Sequence, residues 1–236
     1  MSQPSQLSAS VPQLATDAGA EQILAAGLAA ATGPVTLACS FSVEDVVLID
    51  ILHKVAPEVR IFALDTGRLN EETYEVAEAV NERYGITIDW YFPERQAVEQ
   101  LEREKGLFSF RASLDNRHEC CRIRKVEPLR RALAGKGGWI TGLRRAQSVT
   151  RTELAAIELD QANGGLLKIN PLLNWSDEQI WDYAKENKLP VNRLHGQGYP
   201  SIGCAPCTRP IREGEHPRAG RWWWENPEHK ECGLHR

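Results

Sequence analysis

Short β-type runs alternate with longer helical patterns through the first two-thirds of this chain, and that alternation constrains its fold more than any other feature. Candidate strands are Val35–Cys39, Val59–Leu64, Ile86–Tyr91 and Trp139–Gly142, rich in branched and aromatic side chains. Between them, apolar residues recur at helical spacing over Val43–Val55, Asn70–Tyr84, Arg95–Lys105 and Arg124–Leu133. This order predicts an α/β fold, a doubly wound and mostly parallel sheet covered by helices. Ligands of such sheets bind beyond the carboxyl ends of the strands.

That rule points to two loops. Ser40-Phe41-Ser42-Val43-Glu44-Asp45 follows the first strand. Ser42 and Asp45 have capping-box spacing, and a helix starting there would aim its N–H groups at an anion; an ordinary strand-to-helix turn would read the same way. Leu64-Asp65-Thr66-Gly67-Arg68 follows the second strand. Asp65 could accept a hydrogen bond from a ribose or an adenine amino group, and Gly67 would let the backbone approach a ligand. The alternative is a plain turn capped by Thr66 or Asn70. A further capping box, Ser176 with Gln179, opens a helix through Ile180, Trp181 and Ala184.

With 236 residues, 42% of them hydrophobic, the chain can bury a sizeable core. No apolar run approaches the roughly 20 residues of a membrane helix. Residues 1–20 lack the basic start and apolar stretch of a secretory signal. The expectation is a cytoplasmic protein with a mobile arm over 1–20, an α/β domain over 21–200 and a C-terminal segment and tail over 201–236. Net charge is −4, divided as −11 over residues 1–104 and +7 over 105–236. The basic part holds five of the six cysteines, which suits a small anionic ligand. The negative total, with no basic run interleaved with aromatics, weighs against nucleic acid.

Clustered cysteines in a reducing compartment bind metal or do chemistry more often than they form disulfides. Cys120-Cys121 and Cys204-Ala205-Pro206-Cys207 provide four thiolates in two pairs. Soft thiolates select zinc or iron–sulfur clusters. Adjacent cysteines chelate one zinc awkwardly but can reach two irons of one cubane, which favours a [4Fe–4S] cluster on Cys120, Cys121, Cys204 and Cys207. Arg117, Arg122, Arg124 and Lys125 surround the first pair, and Lys125 follows Cys121 by four residues, on one helix face. Further cations follow at Arg144, Arg145 and Arg151, and Arg218 and Arg221 could clamp phosphate or sulfate oxygens. Trp222-Trp223-Trp224 could line an adenine pocket, shield a cluster or pack the tail on the body. Cys39 reads as core packing. Cys232, beside His229, Lys230 and His235, is either a nucleophile on a movable tail or an exposed thiol.

Together these residues resemble a known family. Cys120-Cys121-x-x-Arg124-Lys125, the run Gly203 to Pro210, the terminal Lys230-Glu231-Cys232-Gly233-Leu234-His235 and the Leu64-Asp65-Thr66-Gly67 loop look like those of the assimilatory sulfonucleotide reductases. Pro171-Leu172, Trp175 and Ile180-Trp181 also fit, and the resemblance runs from about Val35 to the end. It implies a fold of the adenine-nucleotide hydrolase type with a mobile catalytic tail. Relatives that cleave ATP carry a Ser-Gly-Gly-x-Asp-Ser loop. Ser40 to Asp45 lacks the paired glycines, which argues for a nucleotide bearing a sulfuryl group instead.

Within the family, both cysteine pairs are similar to the branch acting on adenylyl sulfate (APS). The resemblance then implies that Cys232 attacks the sulfur of APS to leave an S-sulfocysteine, which reduced thioredoxin or a similar dithiol protein resolves to sulfite. Substrate contacts implied by motif position are Ser42, Leu64, Lys125, Gly142, Arg151, Arg218 and Arg221, with Arg144 a weaker nominee. A homo-oligomer is compatible with the sequence. Competing readings are a reductase of phosphoadenylyl sulfate (PAPS) or of both nucleotides, an ATP-dependent thiolation enzyme, and a zinc-stapled nucleotide-binding module.

Overall fold

The computed structural model describes residues 10–147, 154–226 and 234. Six strands form one sheet: β1 (Val35–Cys39), β2 (Arg60–Leu64), β3 (Asp89–Tyr91), β4 (Gly138–Ile140), β5 (Ile157–Asp160) and β6 (Leu166–Ile169). Their order is β3-β2-β1-β4-β6-β5, and every neighbouring pair is parallel except β5 with β6. The chain winds outward from β1 through β2 to β3, then returns to place β4 on the other side of β1. The crevice between the ends of β1 and β4 is therefore the topological switch point, where such folds bind ligands.

Strand alternation divides the core between two faces. Leu37, Cys39, Ile61 and Ala63 point to the larger one. It is covered by α1 (Ala20–Ala30), α2 (Val43–Val55), α3 (Glu71–Tyr84) and α7 (Asp177–Glu186), through residues such as Ile23, Val47, Val80 and Ile180. Ala38, Phe62 and Leu64 point the other way, onto α6 (Glu127–Leu133) through Leu129, Ala132 and Leu133. Leu14 and Ala18, ahead of α1, also pack on the larger core. The doubly wound, mostly parallel sheet expected from the sequence is the one observed. No helix among the described residues is long and apolar enough to cross a membrane.

The sequence did not announce the β5–β6 hairpin, whose short runs mix Glu158, Asp160 and Lys168 with apolar residues; Gly164 and Gly165, both at positive φ, turn it. The helix expected from Arg124 starts earlier. It runs from α5 (Leu114–Cys121) through a π-helical turn at Arg122–Val126 into α6. Pro128 has no N–H to give the carbonyl of Arg124, so the regular ladder fails there, and a π-turn accommodates the break.

The capping box at Ser42 is not formed. Ser42 is the N-cap residue of α2, but its side chain makes no cap bond. Asp45 accepts instead from the Ser40 amide at 2.6 Å and the Ser40 hydroxyl at 2.7 Å. Phe41, left-handed at φ 60, folds Ser40 back over the helix start. The box at Ser176 does form, with Gln179 N–H donating to Ser176 Oγ at 3.1 Å and Ser176 N–H to Gln179 Oε1 at 2.8 Å.

Candidate functional site

A cleft of about 620 Å³ opens at the carboxyl ends of β1, β2 and β4. The β1 loop contributes Ser40 and Ser42, the β2 end Leu64 and Thr66, and the β4 end Thr141 and Gly142. Lys125 enters from the π-turn, Arg218 and Arg221 from the C-terminal segment. Ser42, Leu64, Lys125, Gly142, Arg218 and Arg221 thus share one cleft. Arg151 and Cys232 lie outside the described residues. Leu234, two residues past Cys232 in the sequence, lines the cleft and packs against the Phe62–Leu129–Trp139 cluster.

Gly142 brings β4 close to α2: a Cβ there would collide with Asp45 Oδ1 and lie 3.1 Å from Glu44 Cβ. Asp45 is buried, and its carboxyl is pushed up to about 6, chiefly by desolvation, with the Glu44 charge adding and the Ser40 and Ser42 hydrogen bonds opposing.

Arg144, Asp65 and Gly67 meet partners other than those of their sequence reading. Arg144 is buried with its charge already matched: Nη2 donates to Glu44 at 2.7 Å and to Asp177, and Nη1 to the Trp175 carbonyl at 3.1 Å. It lines the cleft with its charge shared between Glu44 and Asp177. Asp65 is likewise occupied, accepting from the Gly67 amide at 2.7 Å and the Tyr74 hydroxyl at 2.9 Å. It shapes its own turn. Gly67 has φ 68, and Arg124, not a ligand, approaches it: a Cβ there would lie 3.3 Å from Nη1. Asn70 stands at the N-cap of α3, but its amide donates to the Gly203 carbonyl at 3.2 Å.

Beside the cleft, Cys120, Cys121, Cys204 and Cys207 line one smaller cavity. α5 delivers the first pair, and a 3-10 turn over Ala205–Cys207 shapes the second. The Ala205 amide donates to the Arg68 carbonyl at 2.8 Å, fixing that turn to the β2–α3 loop. Cations crowd the same cavity: Arg68, Arg117, Arg124, Lys125 and Arg221. Glu102 pairs with Arg68 at 2.5 Å and Arg124 at 2.7 Å, and Glu225 with Arg117 at 2.6 Å. Among the described residues, no three His, Cys, Asp or Glu converge so as to hold a single metal ion.

The thiols do not ionise alike. Burial raises Cys204, but Lys125, the Thr66 hydroxyl 3.3 Å away, Arg221 and Arg124 outweigh it and hold the thiol below its ordinary value. Cys207 is pushed up to about 12 by burial and by the charges of Cys204, Cys121 and Cys120.

Lys125, Cys204, Arg221 and Trp222 line both spaces, so they form the wall between the thiol cavity and the cleft. Of the three tryptophans, Trp222 is buried in that wall, Trp224 packs on Phe110 and Trp223 is exposed.

Comparison with known proteins agrees with this geometry. Residues 34–210 match the model of the phosphoadenosine phosphosulfate reductase domain family. The chain belongs to this family.

A relative from Allochromatium vinosum, named adenosine 5'-phosphosulfate reductase, is 54% identical over 86% of this chain and 78% of its own. The solved PAPS reductase of Candida auris, in a phosphate complex, superposes with a TM-score of 0.69 at 26% identity, covering 85% of this chain and all of that one. Yeast FAD synthetase shares the fold alone, with a TM-score of 0.52 at 14% identity over 76% of this chain and 59% of that one.

In this member of the phosphoadenosine phosphosulfate reductase family, His195 also lines the cleft, which the sequence reading missed. Its Nδ1 lies 2.8 Å from the Tyr199 carbonyl, which can only accept, so Nδ1 carries the proton. Burial holds the ring below its ordinary pKa. Its only sequence signal was the Asn192 turn before it, where Oδ1 accepts from the Leu194 amide at 3.0 Å.

Proposed function

We propose that this protein reduces adenylyl sulfate to sulfite and AMP, the step of sulfate assimilation that leads toward cysteine. The observation that carries the reading is the shared wall. A four-thiol cavity adjoins a nucleotide-type cleft through Lys125, Cys204, Arg221 and Trp222, so cations stand between the thiol set and the space for an anionic substrate. The name of the Allochromatium relative supports APS as that substrate.

Cys120, Cys121, Cys204 and Cys207 would hold a [4Fe–4S] cluster. The donor set suits it: four soft thiols share one cavity. When bound, the cluster supplies a fixed charge and ties the C-terminal segment to the sheet domain.

Substrate binds with its nucleoside against Leu64 and its phosphosulfate toward Ser42, Gly142, Lys125, Arg218 and Arg221, and Arg151 is assigned to the same anion by its motif position alone. These groups offset the repulsion between an anionic substrate and a thiolate. The Cys232 thiolate attacks the sulfuryl sulfur. The S–O bond to the phosphate breaks, its electron pair leaves with AMP, and Cys232 carries S–SO₃⁻. A thiolate of reduced thioredoxin, or of another dithiol protein, then attacks Sγ of Cys232 and expels sulfite. Its second thiol resolves the mixed disulfide and frees Cys232, so the dithiol supplies both electrons.

The second reading is activity on PAPS or on both nucleotides, favoured by the family's name and the Candida auris structure. Anaerobic protein incubated with each nucleotide, then analysed by intact mass, tests both. The expected result is one SO₃ added to the Cys232 peptide with APS, and sulfite released once reduced thioredoxin is added. Adduct with PAPS alone would replace the substrate, and no adduct with either would overturn the reading.

A further inference from the structure

Two guanidinium groups share the ring of Trp222. Cζ of Arg117 lies 4.6 Å from its centroid and Cζ of Arg221 4.7 Å. The ring is 2% exposed. The Trp222 amide donates to the Cys207 carbonyl at 3.0 Å, and its backbone is left-handed at φ 41, a conformation that bulky residues rarely adopt. Strain of this kind persists where the surroundings over-determine it, and it gathers at functional sites.

Arg117 is fixed from outside, because its Nε donates to Glu225 at 2.6 Å. Arg221 is held more lightly. Its Nη1 lies 3.2 Å from Ser201 Oγ and 3.1 Å from the Ile202 carbonyl, and its buried Nε has no hydrogen-bond partner among the described residues. Two surfaces define where its guanidinium can lie: Gly203, where any Cβ would collide with it, and the Trp222 ring.

A guanidinium on an aromatic face is attracted through that face and keeps its in-plane N–H edges for an anion. We propose that Trp222 is a positioning residue for substrate. Arg117 and Arg221 both lie over its ring, which holds Arg221 at the wall between the two spaces, where its charge attracts the phosphosulfate group. This rests on the reading of the cleft as the APS site.

The test is a double-mutant cycle on the cluster-loaded enzyme, with APS and reduced thioredoxin. Trp222→Leu should raise KM for APS roughly ten-fold while kcat changes less than about two-fold, the pattern of lost uniform binding. Trp222→Phe, which keeps an aromatic face, should recover most of that loss. In an Arg221→Ala background, Trp222→Leu should change KM by less than about two-fold, because the two residues act as one unit. An unchanged KM in Trp222→Leu, or effects that multiply across the cycle, would overturn the proposal. If Arg221→Ala alone leaves KM for APS untouched, the assignment of Arg221 to substrate falls first and takes the proposal with it. Iron content and thermal midpoint are measured on each variant. Should Leu unfold this buried position, Trp222→Phe carries the cycle: a KM rise of about two- to three-fold that Arg221→Ala abolishes supports the proposal, and its absence overturns it.

Discussion

The guanidinium of Arg221 lies against the α-carbon of Gly203, in the space that a side chain at position 203 would fill. A Cβ there would come within 2.5 Å of Cζ and 2.9 Å of Nε. Gly203 is not at positive φ, so alanine brings no backbone strain. What must move is the end of a flexible side chain. Gly203→Ala should therefore fold normally and displace Arg221 from the cleft wall, raising KM for APS about ten-fold through one lost charge-assisted contact. Steady-state kinetics beside a thermal melt check it; an unchanged KM would mean that Arg221 does not touch the substrate.

Cys204 has a hydroxyl and three cations bearing on its sulfur. Cys204→Ala removes one donor of four. Iron binding should weaken by more than the roughly 10–100-fold that loss of a mere outer-shell partner brings. The readouts are iron and acid-labile sulfide per chain and the broad visible absorption of a thiolate-ligated cluster. Full iron retention would exclude Cys204 from the ligand set.

Cys232→Ser should keep iron content and nucleotide binding while losing the SO₃ adduct and all turnover, because a serine hydroxyl is far less nucleophilic at neutral pH than a thiolate. Mass analysis after APS treatment reads the first loss, and sulfite release the second. Residual sulfite production at the wild-type rate would move the nucleophile elsewhere.

Asp45 gives the fold a pH signature. Its carboxyl titrates near 6 when folded, against an ordinary value of 3.8. Between these values the folded state holds the proton more tightly than the unfolded chain does. This group's contribution to stability is therefore fullest below pH 3.8 and is lost as pH rises through about 6, up to ~3 kcal/mol in all. Asp45→Asn should remove that slope. Urea unfolding of both proteins at several pH values from 4 to 7 isolates it, and parallel curves would show that Asp45 titrates normally.

Much of the frame was legible along the chain. β1, α2 and the helix over Arg95–Lys105 occupy the bounds read from periodicity, because each has an uninterrupted pattern and a clear start or stop. The β5–β6 hairpin was not legible, since its short strands mix charged with apolar residues and carry a weak period. Nor was the π-turn that carries Lys125, where a proline breaks a pattern that otherwise reads as one helix.

By itself, the sequence determined a doubly wound, mostly parallel sheet through four of its six strands, the loops at their ends, and the four thiols in two pairs. These follow from local periodicity, spacing and side-chain chemistry. Only the tertiary structure decided which charges stand available for a ligand. Arg144 and Arg221 look alike as sequence, yet Arg144 meets Glu44 from 100 residues away and is matched, whereas Arg221 stacks on Trp222 with a buried Nε unpartnered among the described residues. A charge's partners come from distant segments, and burial sets how strongly they bind it; neither is written in the neighbouring residues.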